Sequence, residues 1–99
     1  MAGFVQVIAY KTSKFDEMMK VIDKFRAETE GKRTTSRAMT CKDRDNPGQY
    51  VTIVEFPSYE AAMKNNDLPE TAAVAEAMQK LADGPPTFYN LDLERVEQD

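Results

Sequence analysis

The chain has no histidine, no tryptophan and one cysteine among its 99 residues. Histidine is the usual general base near neutral pH and the commonest metal ligand, so its absence excludes histidine-dependent catalysis. Carboxylates alone suit zinc poorly, and we predict no metal site. The lone Cys41 cannot form an internal disulfide, and we interpret it as a small hydrophobic residue.

Clusters of positive charge are also missing. Lys32-Arg33 is the longest basic run and the formal net charge is −4, so the chain lacks the electrostatic features that bind nucleic acid or an anionic membrane. No apolar run approaches the roughly 20 residues of a membrane-spanning helix, and the N-terminus does not have the pattern of a secretory signal. We expect a cytoplasmic protein with no nucleic-acid and no membrane partner.

The composition is that of an ordinary globular domain. Hydrophobic residues make up 41% of the chain and charged residues 30%, which predicts a folded protein. We expect residues 1–99 to form a single domain. A domain of this size buries only roughly 60 to 65% of the surface of its unfolded chain, so its core should be thin.

Hydrophobic periodicity predicts four strands and two helical regions. Strands are rich in β-branched and aromatic residues, whereas the helices carry apolar residues at spacings of three and four. The order βαββαβ, with an interrupted second helical region, predicts an α+β fold of the ferredoxin-like sandwich type, with both helical regions on one face of an antiparallel sheet. The predicted strands cover residues 4–10, 34–42, 50–56 and 87–96, and the predicted helices cover residues 13–30, 58–65 and 67–82.

Local signals predict the helix ends and one turn. Thr12 or Ser13 is positioned to cap the first helix and Ser58 the second. Asp67, with a glutamate three residues later, has the spacing of a capping box for the third helix. Residues 42–49 contain Asn-Pro-Gly, which is typical of a turn and predicts a hairpin between the second and third strands.

Two strands carry apolar side chains on both faces. In this architecture one sheet face meets the helices and the other is bare, yet five of the six residues predicted on the bare face of the first and third strands are aliphatic. Exposing such a patch costs several kcal/mol at about 25 cal/mol per Å², so we predict a homodimer. The six residues are Val5, Val7, Ala9, Val51, Ile53 and Glu55.

The RNA-recognition fold is an alternative with the same element order. Its open sheet face displays aromatic residues that stack on bases, whereas none of these six residues is aromatic, so we do not expect RNA binding.

Residues 43–63, DRDNPGQYVTIVEFPSYEAAM, and the following LPET resemble the antibiotic biosynthesis monooxygenase-like (ABM) domains of the dimeric α+β barrel superfamily. The resemblance extends over about residues 4–93. It implies that two copies join into a dimeric α+β barrel and that each copy has a pocket between sheet and helices. Members of the superfamily include cofactor-independent oxygenases of aromatic polyketides and haem-degrading enzymes. The haem enzymes use an axial histidine that this chain lacks, so we predict no cofactor.

The resemblance also implies which residues form the pocket. Gln6 corresponds to a ligand-contacting asparagine of some members, and Gln6 and Tyr10 are the candidate catalytic residues. Structural roles without a ligand remain open for these residues. Gln6 and the methionines are also compatible with a packed core, and Glu55 and Arg37 are also compatible with ordinary ion pairs. The candidate ligand-binding residues are Phe4, Ile8, Tyr50, Thr52, Phe56, Met63 and Met78.

Two functional hypotheses follow from the resemblance. The first is a small homodimeric protein that binds a hydrophobic aromatic or polycyclic metabolite and acts as a cofactor-independent monooxygenase. The second is a noncatalytic dimer with a small-ligand-binding or structural role. Substituting the tyrosine and glutamine side chains of the pocket distinguishes the two hypotheses, because only oxygenation requires their polar groups.

Overall fold

The computed structural model describes residues 3–99, which form a four-stranded antiparallel sheet and three helices. The predicted ferredoxin-like α+β fold is confirmed: the strand order is β2-β3-β1-β4, and the helices cover one face. The elements are β1 (Phe4–Lys11), α1 (Phe15–Glu28), β2 (Arg37–Lys42), β3 (Gln49–Phe56), α2 (Tyr59–Asn66), α3 (Pro69–Leu81) and β4 (Thr87–Asp92).

The hairpin between β2 and β3 forms as the turn chemistry predicted. Gly48 has a φ of +85°, a left-handed conformation that glycine adopts without steric cost. The Gln49 amide donates to the Asn46 carbonyl over 3.1 Å and the Asp43 amide donates to the Gln49 carbonyl over 2.9 Å, which closes the turn. The predicted ends of two strands are wrong: β2 begins only at Arg37, and β4 already ends at Asp92.

Helix caps agree with the sequence at one helix and differ at the other two. The Ser58 hydroxyl accepts a hydrogen bond from the Ala61 amide over 3.0 Å, as expected of an N-cap. The predicted capping box at Asp67 is wrong, because α3 begins after Leu68 with Pro69 as its first residue. The predicted N-cap of α1 is displaced, because Lys14 holds that position and its own side chain makes no capping hydrogen bond. The Thr12 hydroxyl nevertheless accepts a hydrogen bond from the Lys14 amide over 2.9 Å.

Strand register fixes the two faces of the sheet. Residues that pair directly in antiparallel strands point to the same face. Gln6 pairs with Val54 and Ile8 with Thr52 on the helix-covered face, whereas Val7 pairs with Ile53 on the other, which we call the open face. The predicted assignment of the two faces is therefore confirmed.

The core is thin and lies between the sheet and the helices. Among residues 3–99, the buried apolar side chains are Phe4, Tyr10, Met18, Phe56 and Ala62. On the open face the aliphatic residues are only half-buried, and Tyr89 and Leu91 of β4 are 51% and 45% exposed. Cys41 is also exposed there, in register with Val51.

No helix within residues 3–99 is long and apolar enough to cross a bilayer.

Candidate functional site

The space between the sheet and two of the helices contains a cavity of about 190 Å³, which we call the apolar cavity. Strands β1 and β3 form its floor, α1 and α3 form its roof, and the segment leading into β4 forms one side. Its walls are almost entirely hydrocarbon, so it favours an apolar ligand over water. The lining residues are Ile8, Tyr10, Met18, Ile22, Thr52, Ala75, Met78, Gln79, Ala82, Pro86 and Phe88.

A pair of hydroxyl groups is the main polar feature of the apolar cavity. The Tyr10 hydroxyl lies 3.2 Å from Thr52 Oγ1, and either atom can donate the hydrogen bond. Tyr10 is 6% exposed, and its ring stacks on that of Tyr50, with the ring centroids 6.0 Å apart. Tyr50 in turn stacks on Phe15 at 4.3 Å. The stack holds the Tyr10 ring in place, so its hydroxyl is a positioned hydrogen-bonding group.

A second cavity, of about 370 Å³, lies farther along the same sheet face beneath α2. We call it the amide cavity, because asparagine and glutamine side chains supply much of its lining. The Gln6 amide nitrogen donates to Asn90 Oδ1 over 3.2 Å across β1 and β4, and the Asn65 Oδ1 atom accepts from the Thr34 amide over 3.3 Å. The lining residues are Phe4, Gln6, Phe56, Tyr59, Ala62, Met63, Asn65, Asn66, Thr71 and Asn90.

Aromatic rings form the apolar wall of the amide cavity. Phe4 lies edge-on to Tyr59, with centroids 5.3 Å apart, and is tilted toward Phe56 at 6.2 Å. Edge-to-face contacts of this kind stabilise an aromatic cluster beyond its buried area. Phe4 and Phe56 are buried, but Tyr59 is 52% exposed, so the cavity combines a fixed aromatic floor with an accessible rim.

The structure divides the predicted site residues among three places. Ile8, Tyr10, Thr52 and Met78 line the apolar cavity. A different set lines the amide cavity, and it consists of Phe4, Gln6, Phe56 and Met63. Tyr50 lines a third, charged hollow of about 630 Å³.

The two candidate catalytic residues do not share a cavity. Gln6 and Tyr10 are four residues apart on β1 and point to the same face, which separates them by about 13 Å along the strand. Strand alternation indicated that they share a face, but it could not indicate which helix covers each of them. Their catalytic roles remain predictions.

Asn90 is the functional candidate that sequence reasoning missed. A signal for it existed, because the alternation in the last strand places it on the face opposite Tyr89 and Leu91. Its importance depends on register: Gln6 pairs with Asn90 and Ile8 with Phe88, so the amides are neighbours only once β1 and β4 are aligned. Gln79 of α3 was also missed and adds an amide to the apolar cavity.

The charged candidates lie away from both cavities. Arg37 Nε donates to Glu55 Oε1 over 3.1 Å on the open face, which matches the interpretation as an ordinary ion pair. Lys32 donates to Glu70 Oε2 over 2.8 Å, and this hydrogen bond lowers the pKa of the Glu70 carboxyl below its ordinary value. Within residues 3–99, no three cysteine or carboxylate side chains cluster in a way that could hold a metal ion.

No protein-family model matches the sequence, and no curated protein matches it significantly. Its fold, in contrast, is shared with solved structures of ABM proteins. A single-residue mutant of SnoaB, a cofactor-independent oxygenase from Streptomyces nogalater, is 15% identical and has a TM-score of 0.83, with 98% of each chain covered.

Two further solved structures support the same fold. A protein from Caulobacter crescentus CB15 named for antibiotic biosynthesis monooxygenases is 18% identical, with a TM-score of 0.82 over 95% of this chain and 92% of that chain. Another from Nitrosomonas europaea is 8% identical, with a TM-score of 0.74 over 90% and 88%. The chain therefore has an ABM-like fold, as the resemblance of its sequence implied.

Proposed function

We propose that this protein binds a flat aromatic metabolite in the apolar cavity and oxidises it with dioxygen, without a cofactor. The observation that carries the proposal is the hydrocarbon-lined cavity with the Tyr10–Thr52 hydroxyl pair at its floor. The likeness in fold to SnoaB, a cofactor-independent oxygenase, supports the choice of chemistry.

The cavity volume limits the ligand. A cavity of about 150 Å³ in another protein accommodates benzene, so the 190 Å³ of the apolar cavity suits one substituted ring. A polycyclic ligand needs further room, and the amide cavity is the adjacent space on the same face of the sheet. A ligand that uses both cavities would contact Tyr10 at one end and Gln6 at the other.

The proposed reaction converts the methylene group of an anthrone to a carbonyl group. One oxygen atom of dioxygen enters the product, and the other leaves as water with the two methylene hydrogens. The substrate supplies the four electrons that dioxygen accepts, so no external reductant is needed. The hydroxyl of the enol form of the substrate donates a hydrogen bond to the Tyr10 oxygen, which raises the electron density at the reacting carbon, while the Tyr10 hydroxyl donates its own hydrogen to Thr52 Oγ1.

One observation favours the noncatalytic alternative. The polar side chains that line the apolar cavity are Tyr10, Thr52 and Gln79, and none of them is a carboxylate, a lysine or a cysteine. A pocket with so few titratable groups is also suited to binding a ligand without transforming it. In that case the protein would bind the same aromatic class and show no turnover.

The homodimer is part of the proposal. A second copy that packs against the open face would cover the half-buried aliphatic residues and exposed Leu91, which the single chain leaves in contact with water. A two-fold axis brings the same surface of each copy together. The ABM-like fold supports this arrangement, in which two sheets form the predicted barrel.

Oxygen uptake with purified protein and a panel of anthrones and quinols tests the proposed reaction. We expect turnover by the native protein, and at least tenfold slower turnover by Tyr10→Phe and Gln6→Ala, each with a native circular dichroism spectrum. Tyr89→Phe makes the same chemical change as Tyr10→Phe on the open face and should retain activity. Saturable binding of these compounds without oxygen uptake would favour the noncatalytic alternative, and the absence of binding would contradict both.

A further inference from the structure

The apolar cavity has its mouth on one side, between α3 and β4. Tyr10 of its floor and Met18 of its roof are 6% and 1% exposed, and the other lining residues of β1, β3 and α1 are half-buried. The lining residues that are exposed to solvent all belong to α3 or β4. A ligand therefore reaches solvent between these two elements. The exposed lining residues are Ala75, Gln79 and Phe88.

Hydrogen bonds fasten the C-terminal end of α3 but leave its side free. Thr12 Oγ1 donates to the Leu81 carbonyl over 2.7 Å, and the Asp83 amide donates to the Lys11 carbonyl over 2.7 Å. Within residues 3–99, no hydrogen bond joins α3 to β4. Because β4 is an edge strand of the sheet, no further strand lies beyond the gap.

The mouth changes from hydrocarbon to polar as it approaches solvent. Ile8 lies inside the cavity, next to Phe88, which is 55% exposed and forms an apolar rim. Ala75 has the smallest side chain that still lines the wall, so it leaves space, and the Gln79 amide offers both a donor and an acceptor. A ligand that matches this sequence of surfaces places a ring inside and a polar linking group at the mouth.

We infer that the apolar cavity accepts an aromatic ring that is joined through one position to a larger water-soluble group, and that Ala75 lets the link pass out between α3 and β4. The inference rests on the proposed function and adds a class of ligand, the aromatic conjugate, to it. The volume of about 190 Å³ suits one substituted ring, so a second large group on the ring would have to lie among buried residues such as Met18.

Matched benzamides test the inference without depending on turnover. 4-Methylbenzamide is the parent ligand, a second compound carries a polyethylene glycol chain on its amide nitrogen, and a third is terephthalamide with such a chain on both amide nitrogens. A chain that stays in solvent changes the affinity little, whereas burying a polar chain is costly. We expect the first two compounds to bind the native protein with dissociation constants within about threefold of each other, and the third to bind at least about tenfold more weakly. The saturable shift of the Met18 methyl resonance measures each, because Met18 lines the cavity.

Variants at the mouth test where the link leaves. Ala75→Trp narrows the opening and should raise the dissociation constant of the one-chain compound, relative to that of the parent, by about tenfold or more. Gln79→Trp should raise the same ratio from the next turn of α3. Ala72→Trp adds the same side chain at an exposed position of α3 outside the cavity lining and should leave the ratio unchanged. A general change in affinity cancels in this ratio.

The outcomes separate this inference from the proposed function. If the native protein binds the one-chain compound about tenfold more weakly than the parent, or the two-chain compound as tightly as the one-chain compound, the inference is overturned and the proposed binding of free aromatic compounds stands. A ratio unchanged in both Ala75→Trp and Gln79→Trp would also overturn it. Failure of the native protein to bind 4-methylbenzamide would contradict the proposed function, and the inference with it.

Discussion

Replacing Ile53 with lysine tests whether the open face is covered by a second copy of the chain. Ile53 lies on the central strand pair, opposite Val7 of β1 and Met39 of β2. It is half-buried in the single chain, so a large part of its side chain is still available for contact with a partner. A lysine at this position would place a charged group where the proposed interface is most apolar.

The effect follows from the area that remains to be buried. Complete burial of an isoleucine side chain stabilises by about 1.5 to 3 kcal/mol. Since Ile53 is already half-buried, contact with a partner contributes about 1 kcal/mol per copy. A two-fold dimer contains two copies, so the substitution removes about 2 kcal/mol and raises the dissociation constant about thirtyfold. Desolvation of the lysine ammonium adds to this loss.

Sedimentation equilibrium over a range of concentrations measures the expected shift. We expect the native protein to be a dimer at micromolar concentration, and Ile53→Lys to dissociate at concentrations at least about thirtyfold higher. Ala27→Lys introduces the same charge at an exposed position in the last turn of α1, where a cation is tolerated, and should remain dimeric. A native protein that sediments as a folded single chain, or an Ile53→Lys variant that dimerises as tightly as the native protein, would refute the reasoning.

Three further substitutions test local features by chemical or thermal unfolding. Ser58→Ala removes the cap of α2 and should lower the free energy of unfolding by about 1 kcal/mol, whereas Ser36→Ala should leave it nearly unchanged. Gly48→Ala forces a side chain into a φ of +85° and should cost about 1 to 2 kcal/mol; equal stability would contradict the turn geometry. The hydrogen bond from Lys32 lowers the pKa of Glu70 in the folded protein below the ordinary carboxyl pKa of 4.5. The pair therefore stabilises the fold above pH 4.5, and this stabilisation is lost as the pH falls through the lowered pKa of the folded state. Lys32→Met should therefore be less stable than the native protein near neutral pH and equally stable in strong acid, and a difference that persists in acid would contradict this account.

The fold could be predicted because its main signals are local. Successive side chains of a strand point to opposite faces, which groups the residues of β1 and β3 by face even though both faces are apolar. The Asn-Pro-Gly turn indicates the hairpin, and Ser58 indicates one helix start. The capping box predicted at Asp67 does not form, because other local and long-range contacts determine where α3 begins. Pro69 begins the helix, as its fixed φ favours, and the Glu70 carboxylate binds Lys32 from a distant loop.

The site was only half predictable, because strand alternation shows which face a residue occupies and nothing about what lies above it. Gln6 and Tyr10 share a face, but α2 covers the first and α1 with α3 covers the second. That division depends on how the helices pack across the sheet. The role of Asn90 likewise requires the register between β1 and β4, which no local pattern specifies.

Methionine methyl groups provide the most direct test of the claim that the apolar cavity binds an aromatic ligand. Met18 and Met78 line the apolar cavity, whereas Met39 lies on the open face. In a titration of ¹³C-methyl-methionine protein with 1,8-dihydroxyanthraquinone, we expect ring-current shifts of the Met18 and Met78 resonances that saturate together, with Met39 unchanged. Shifts confined to Met39, or no saturable shift at Met18 and Met78, would contradict the account.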